Sequence, residues 1–298
     1  MRLNGRWQKG ESMGEKDITE KLLMDYNDVF ADIVNVLLFD GEEVIKEDSL
    51  SDMNARSQYK ADTGEMHEQE RDISKKLVDG NTVISLIGFE NQTKPEKFMP
   101  ARVFNYDGQS YRTQLLEKGV ERLYPAITLV LYFGDTRWTE PRKMSECLDI
   151  PNKLKPYVSD YEIKNLFEVS YLSPEKVKLF KSDFGIVADY FVQMRTNREY
   201  TPSQEMIDHV DAFMKLMRVL TGDRTYEMSI PAQEKENGGV TMVSFLDKVE
   251  KKGEIKVYMN EFDYTPKEIS LKIGMPESDV DDIMKAIKAE KNTEKNNK

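Results

Sequence analysis

The sequence predicts an α/β sandwich, and three observations lead there. A long amphipathic run opens the ordered part, a pair of strand-forming runs joined by a turn follows, and "YPAITLVLYFG" (124–134) is the most hydrophobic strand-like segment in the chain. In order they give helix, strand, strand, helix, strand, with another strand after. That succession layers helices on a sheet and does not build a helical bundle.

Over residues 18–39 the apolar positions Leu22, Tyr26, Val29, Phe30, Ile33, Val34, Leu37 and Leu38 recur at helical spacing. Asp17 or Thr19 can cap the start of this helix, and Asp40 with Gly41 ends it. Residues 40–68 are polar and acidic with no periodicity, so a long loop is expected, of the kind that is functional or mobile in most domains. "ERDISKKLV" and "TVISLIGFENQ" flank "DGN" at 79–81, the signature of a hairpin. Counting from that turn sets Asp72 about level with Phe89. "KPEKFMPARVFNYDGQSYRTQLLEKG" reads as a short loop and a helix carrying Arg102, Tyr106, Tyr111 and Gln114. The run at 124–134 lacks polar alternation, which predicts burial on both faces in the middle of a sheet. "NLFEVSYL" (165–172) is the further strand.

Beyond Ser173 the chain reads as two sizeable helices, the second with Pro202 in its first turn. The expected organisation is a disordered extension over 1–12 ahead of Met13, a core over 13–172 and a helical extension packed on it over 173–228. A polar linker with paired glycines (229–240), a C-terminal helical unit (241–288) and a disordered tail (289–298) complete it. Within 265–288 two short helices are expected about 274–276. The second begins "ESDVDDIM", whose Glu277, Asp279, Asp281 and Asp282 would be repelled by phosphate. This unit is therefore expected to serve protein contacts or self-association rather than DNA reading.

Composition narrows the chemistry. Of 298 residues 39% are hydrophobic and 33% charged, enough for a sizeable core under a charged surface. A net charge of −11 argues against a general nucleic-acid-coating protein, yet leaves room for a nuclease, whose cut site needs local acids. The single cysteine, Cys147, rules out an intramolecular disulfide and fits a reducing cytoplasm. With one Cys and two His, the metal to expect is a hard cation on carboxylates and not zinc. No stretch approaches the roughly 20 apolar residues of a membrane span, so no membrane association is expected.

The strand "TVISLIGFENQ" ends on Glu90 and Gln92, which share a face because residues two apart on a strand point the same way. With Asp72 across the hairpin, two carboxylates make a seat for Mg²⁺, or for another hard divalent cation such as Mn²⁺ or Ca²⁺, and the backbone carbonyl of Asn91 can add a third oxygen. The alternative is a strand tip running out into solvent.

An acid on one strand and Glu-x-Lys on its neighbour, followed by a helix, is the PD-(D/E)xK nuclease pattern; here it is Asp72…Glu90-x-Gln92. "YNDVFADIVNVLLFDGEEVI", "ERDISKK", "GFENQT", "MPARVFNYDGQSYRTQL", "TLVLYFG" and "SDFGIVADYFVQMR" together resemble the Rpn family of recombination-promoting, transposase-related nucleases, over about residues 17–225. The resemblance implies a restriction-endonuclease-like (PD-(D/E)xK) core, a mixed sheet flanked by helices, followed by a C-terminal helical region. It implies a metal-dependent DNA endonuclease that hydrolyses phosphodiester bonds, with Asp72 and Glu90 as metal-binding acids and Gln92 at the lysine position. Asp28 is the best match for a further acid from the first helix, with Asp32 one turn on. Tyr111 and Gln114 would touch the scissile strand or brace the site. The rival expectation is a catalytically degenerate member that binds DNA or protein without cutting.

Overall fold

Helix α1 spans Asn27–Phe39 and buries Val29, Phe30, Ile33, Val34 and Leu37, the stripe its periodicity lays out. In this computed structural model, the described residues are 23–52, 58–60, 66–68, 73–79, 82–117, 119–227 and 239–296. The caps expected at Asp17 or Thr19 lie outside them. Leu23 and Met24 are helical too, but Asp25 turns and Tyr26 is in extended backbone, so the helix expected over 18–39 is interrupted directly before α1. Asp40 enters the left-handed region at φ 53° and Gly41 follows at φ 88°, which stops the helix where expected. The buried Asn35 side chain then clasps the returning chain, accepting from Val44 and Ile45 N–H at 3.1 and 2.8 Å and donating to the Ile45 carbonyl at 2.7 Å.

The long loop expected over 40–68 is corrected. It contains an edge strand, β1 (Leu50–Asp52), and a small antiparallel pair, β2 (Gln58–Lys60) with β3 (Met66–Glu68). Strands of three residues are too short to show alternation. The hairpin forms from β4 (Ile73–Asp79) and β5 (Thr82–Gln92). Near the turn Val78 pairs with Val83, but Leu77 pairs with Ser85, so Ile84 is the extra residue of a β-bulge. The bulge advances the register by one, and Ile73, not Asp72, is level with Phe89.

Helix α2 (Met99–Leu116) carries Pro100 in its first turn, where a missing N–H costs nothing. Strand β6 (Ala126–Tyr132) then runs parallel between β5 and β7 (Leu166–Glu168). The sheet order is β1-β4-β5-β6-β7, antiparallel on one side of β5 and parallel on the other: a five-stranded mixed sheet flanked by helices. Strand alternation divides its two faces. On one, Phe89 stacks on Phe30 of α1 with ring centroids 4.3 Å apart, and Phe133 meets Phe191 of α3 (Phe184–Asn197) at 5.3 Å. On the other, α2 packs through Met99 and Val103 against Val130, Tyr132, Trp138, Ile163 and Leu166.

Two helix expectations beyond residue 173 are also corrected. The first helix breaks after a single turn at Pro174–Val177 and resumes as α3, because Asp32 of α1 takes the N–H groups of Lys181 and Ser182 at 2.9 and 2.8 Å. The second starts at Val210, not Pro202, as α4 (Val210–Thr221).

Residues 202–207 leave this unit. The chain divides into Met1–Thr201 with Asp208–Glu227, and Pro202–Ile207 with Met228–Lys298. In the smaller unit β8 (Met206–Ile207) pairs antiparallel with β9 (Val240–Thr241), followed by α5 (Met242–Glu261), α6 (Pro266–Ile273) and α7 (Glu277–Asn296). Ile255, Ile269, Val280, Met284 and Ile287 form the core of these helices. Helix α7 extends to Asn296, through most of the tail expected to be disordered from residue 289. No helix among the described residues is long and apolar enough to cross a membrane.

Candidate functional site

At the carboxyl end of β5 the side chain of Glu90 is 0% exposed, on the face covered by α2. Burying an ionised carboxylate costs several kcal/mol unless a partner compensates. Here Arg102, in the first turns of α2, brings its Nη2 to 2.7 Å from Glu90 Oε1. Gln92, two residues on and therefore on the same face, donates from Nε2 to the same oxygen at 3.2 Å. The other edges of the guanidinium are also held: Nη1 donates to Glu96 Oε2 at 2.9 Å, and Nε to the Tyr106 hydroxyl, one helical turn on, at 3.0 Å. Burial is the largest single influence on the Arg102 guanidinium and works against its charge, but Glu90, Tyr106 and Glu96 together outweigh it, and the net effect raises its pKa.

Helix α2 is fixed over this site by a second buried acid. Asp107 accepts from the Thr128 hydroxyl of β6 at 2.8 Å and from the Tyr161 hydroxyl at 2.6 Å. That bond set locks the helix to the sheet and with it the position of Arg102.

The sequence-predicted residues do not all converge. Glu90 and Gln92 come together. Asp72 lies outside the described residues, and with it the expected pairing across the hairpin. Asn91 is buried on the opposite face, the one facing α1. Asp28 and Asp32 belong to α1 and so to the layer across the sheet from Glu90. Asp28 Oδ2 lies 3.0 Å from His209 Nε2, whose ring stacks on Tyr26 at 3.7 Å, and Asp32 holds the backbone at 181–182. Tyr111 and Gln114 both bind backbone. The Tyr111 hydroxyl accepts from Ala126 N–H at 3.2 Å, while the Gln114 amide bonds both N–H and carbonyl of Tyr124, at 2.9 and 3.1 Å. They brace the entry to β6 at the level of Leu86, four residues before Glu90 along β5.

Sequence reading placed Arg102 on the helix without giving it a role. Nothing in the helical spacing says which residue meets the strand tip. It also passed over Lys75, from the block "ERDISKK". Lys75 is 1% exposed, with its ammonium 2.5 Å from Asp52 Oδ1 and 5.9 Å from the centroid of the Phe30 ring, again on the α1 face.

Donor chemistry at the tip of β5 is oxygen-only and suits a hard divalent cation in kind. Among the described residues no group of three or more His, Cys, Asp or Glu is arranged to hold a metal ion. Glu90 is the acid the described fold supplies, and Asp72 is the second the sequence offers.

A family model described as "Putative transposase, YhgA-like" matches residues 72–217. The match takes in β4 to β7, with Asp72, Glu90, Gln92 and Arg102. No curated protein and no solved structure matches this chain.

Proposed function

Because this chain belongs to the YhgA-like putative transposase family, we propose that its transposase-related function is carried out by a restriction-endonuclease-like core acting as a metal-dependent DNA endonuclease. The observation that carries the reading is Glu90: a fully buried carboxylate at a strand tip, gripped by a guanidinium and an amide. A fold gains little from such a group, since an apolar residue of similar volume is as stable or more so, and buried charges of this kind cluster where chemistry is done.

In this reading Asp72 and Glu90, with the backbone carbonyl of Asn91, hold Mg²⁺ or a similar cation. When bound, the cation supplies Lewis acidity to the phosphate and acidifies the attacking water. The Gln92 amide orients that water. Asp28 is left out of the ligand set, because its carboxylate is engaged by His209 in the layer across the sheet. The test is cleavage of supercoiled plasmid with Mg²⁺ and Mn²⁺. Asp72→Ala and Glu90→Ala are each expected to abolish it; undiminished cleavage by either variant sinks the assignment. A wild-type protein that retains DNA and never cuts it would be the degenerate binding module. The occupation of Glu90 Oε1 by Arg102 is the observation that favours that second reading.

A further inference from the structure

Gln92 stands at the position where the strand pattern calls for a lysine, and an amide carries no charge. A cation nevertheless reaches the same point from elsewhere in the fold. Arg102 Nη2 and Gln92 Nε2 converge on one atom, Glu90 Oε1, at 2.7 and 3.2 Å. If Arg102 only neutralised a buried acid, its guanidinium would be expected to share that burial. Its side chain is instead 39% exposed, so the group spans from a fully buried carboxylate to solvent. Among the described residues its bonds to Glu90, Glu96 and Tyr106 use three of the five N–H groups of a guanidinium, and two more remain to meet an arriving anion. The three bonds also fix the fork, and a planar fork held in advance is the geometry that suits phosphate oxygens.

Resting on the nuclease reading, we propose that Arg102 is a catalytic residue: it supplies from helix α2 the positive charge that the strand motif lacks at Gln92, and it binds the scissile phosphate. In the reaction, a water oxygen forms a bond to phosphorus and one ester P–O bond breaks. The water gives up a proton to solvent and the leaving oxygen takes one, so a phosphodiester and water become a phosphomonoester and a free hydroxyl. Arg102 transfers nothing and remains protonated throughout. Its work is electrostatic, on the charge that builds on the phosphoryl oxygens as the bonds exchange.

Single-turnover cleavage of a fluorescent duplex, with duplex binding by anisotropy in the absence of divalent cation as a second readout, tests this. Arg102→Gln is expected to slow cleavage by about 100-fold, the usual loss of one preorganised charge-stabilising donor, while weakening duplex binding by less than about 10-fold, as the loss of one phosphate contact among several does. Adding Gln92→Lys to Arg102→Gln should restore most of the rate. Cleavage by that double variant should decline above about pH 10 as the ammonium deprotonates, whereas the wild type, with its guanidinium still charged, does not. A purely structural role for Arg102 predicts no such new pH limit. Full cleavage by Arg102→Gln, or no restoration by Gln92→Lys, overturns the proposal. If thermal melting shows that Arg102→Gln does not fold, Arg102→Lys decides: an alkaline decline absent from the wild type supports the role, and a matching profile overturns it. Loss of cleavage in Glu90→Ala with retention in Arg102→Gln overturns the role of Arg102 alone. A wild type that does not cleave, or a Glu90→Ala variant that cleaves normally, removes the nuclease reading itself and this proposal with it.

Discussion

Asp183 and Glu90 are both buried carboxylates, stabilised in different ways. Asp183 accepts the N–H groups of Asp208 and His209 at 2.9 and 2.7 Å, which ties the start of α3 to the start of α4. Burial pushes its pKa above the ordinary 3.8, and the two N–H bonds offset this only in part. The folded chain therefore holds this proton to higher pH than the unfolded chain. The stability it brings is complete below 3.8 and is lost as pH rises through the raised value. Asp183→Asn has no such proton. The stability of the wild type relative to this variant is expected to fall across the acid range and then level off, read by urea unfolding from about pH 4 to about pH 7. A difference that grew with pH would refute it. At this scale the sequence was partly legible. Glu90 and Gln92 share a face because a strand has period two, and that can be counted. Arg102 could not be counted to Glu90, because the packing of α2 on the sheet decides which helical residue reaches the strand tip.

Helix ends repeat the lesson with local and distant partners. In the smaller unit, Thr265 and Glu268 form a capping box: the Thr265 hydroxyl accepts from Glu268 N–H at 3.4 Å, and the Glu268 carboxylate accepts from Thr265 N–H at 2.8 Å. Thr265→Ala should cost about 1 kcal/mol. Native-state hydrogen exchange across α6 should detect it as faster exchange confined to the smaller unit; unchanged protection there would count against the cap. Such an end is written in neighbouring residues and was readable, as was the stop at Gly274, whose φ of 67° suits a residue without a side chain. The break before α3 was not readable. Its cause is Asp32, 150 residues earlier, capturing donors that a continuous helix would have kept. Nor was the bulge at Ile84 visible, since a one-residue slip leaves the apolar pattern of each strand intact while shifting which residues face each other.

Across the whole chain, composition limited the chemistry without revealing the connectivity. The net charge of −11 and the hydropathy pattern are equally compatible with units that follow one another and with units that trade segments. Here they trade: Pro202–Ile207 lies between two stretches of the larger unit, yet belongs to the smaller. A chain ending at Glu227 would keep β8 and lose β9, leaving β8 an unpaired edge with Ile207, 3% exposed in the full chain, deprived of its partner strand. We expect such a chain to scatter more light and to melt lower than the full-length protein. Equal melting and an equally monodisperse chain would argue against it. The same exchange of strands governs how the protein is made. A ribosome delivers β8 well before β9, so the smaller unit cannot close its pair until β9 has emerged, and β8 must wait on a nascent chain in the meantime. The smaller unit is thus completed only late in synthesis, and no single cut in the chain removes all of it while leaving all of the larger unit.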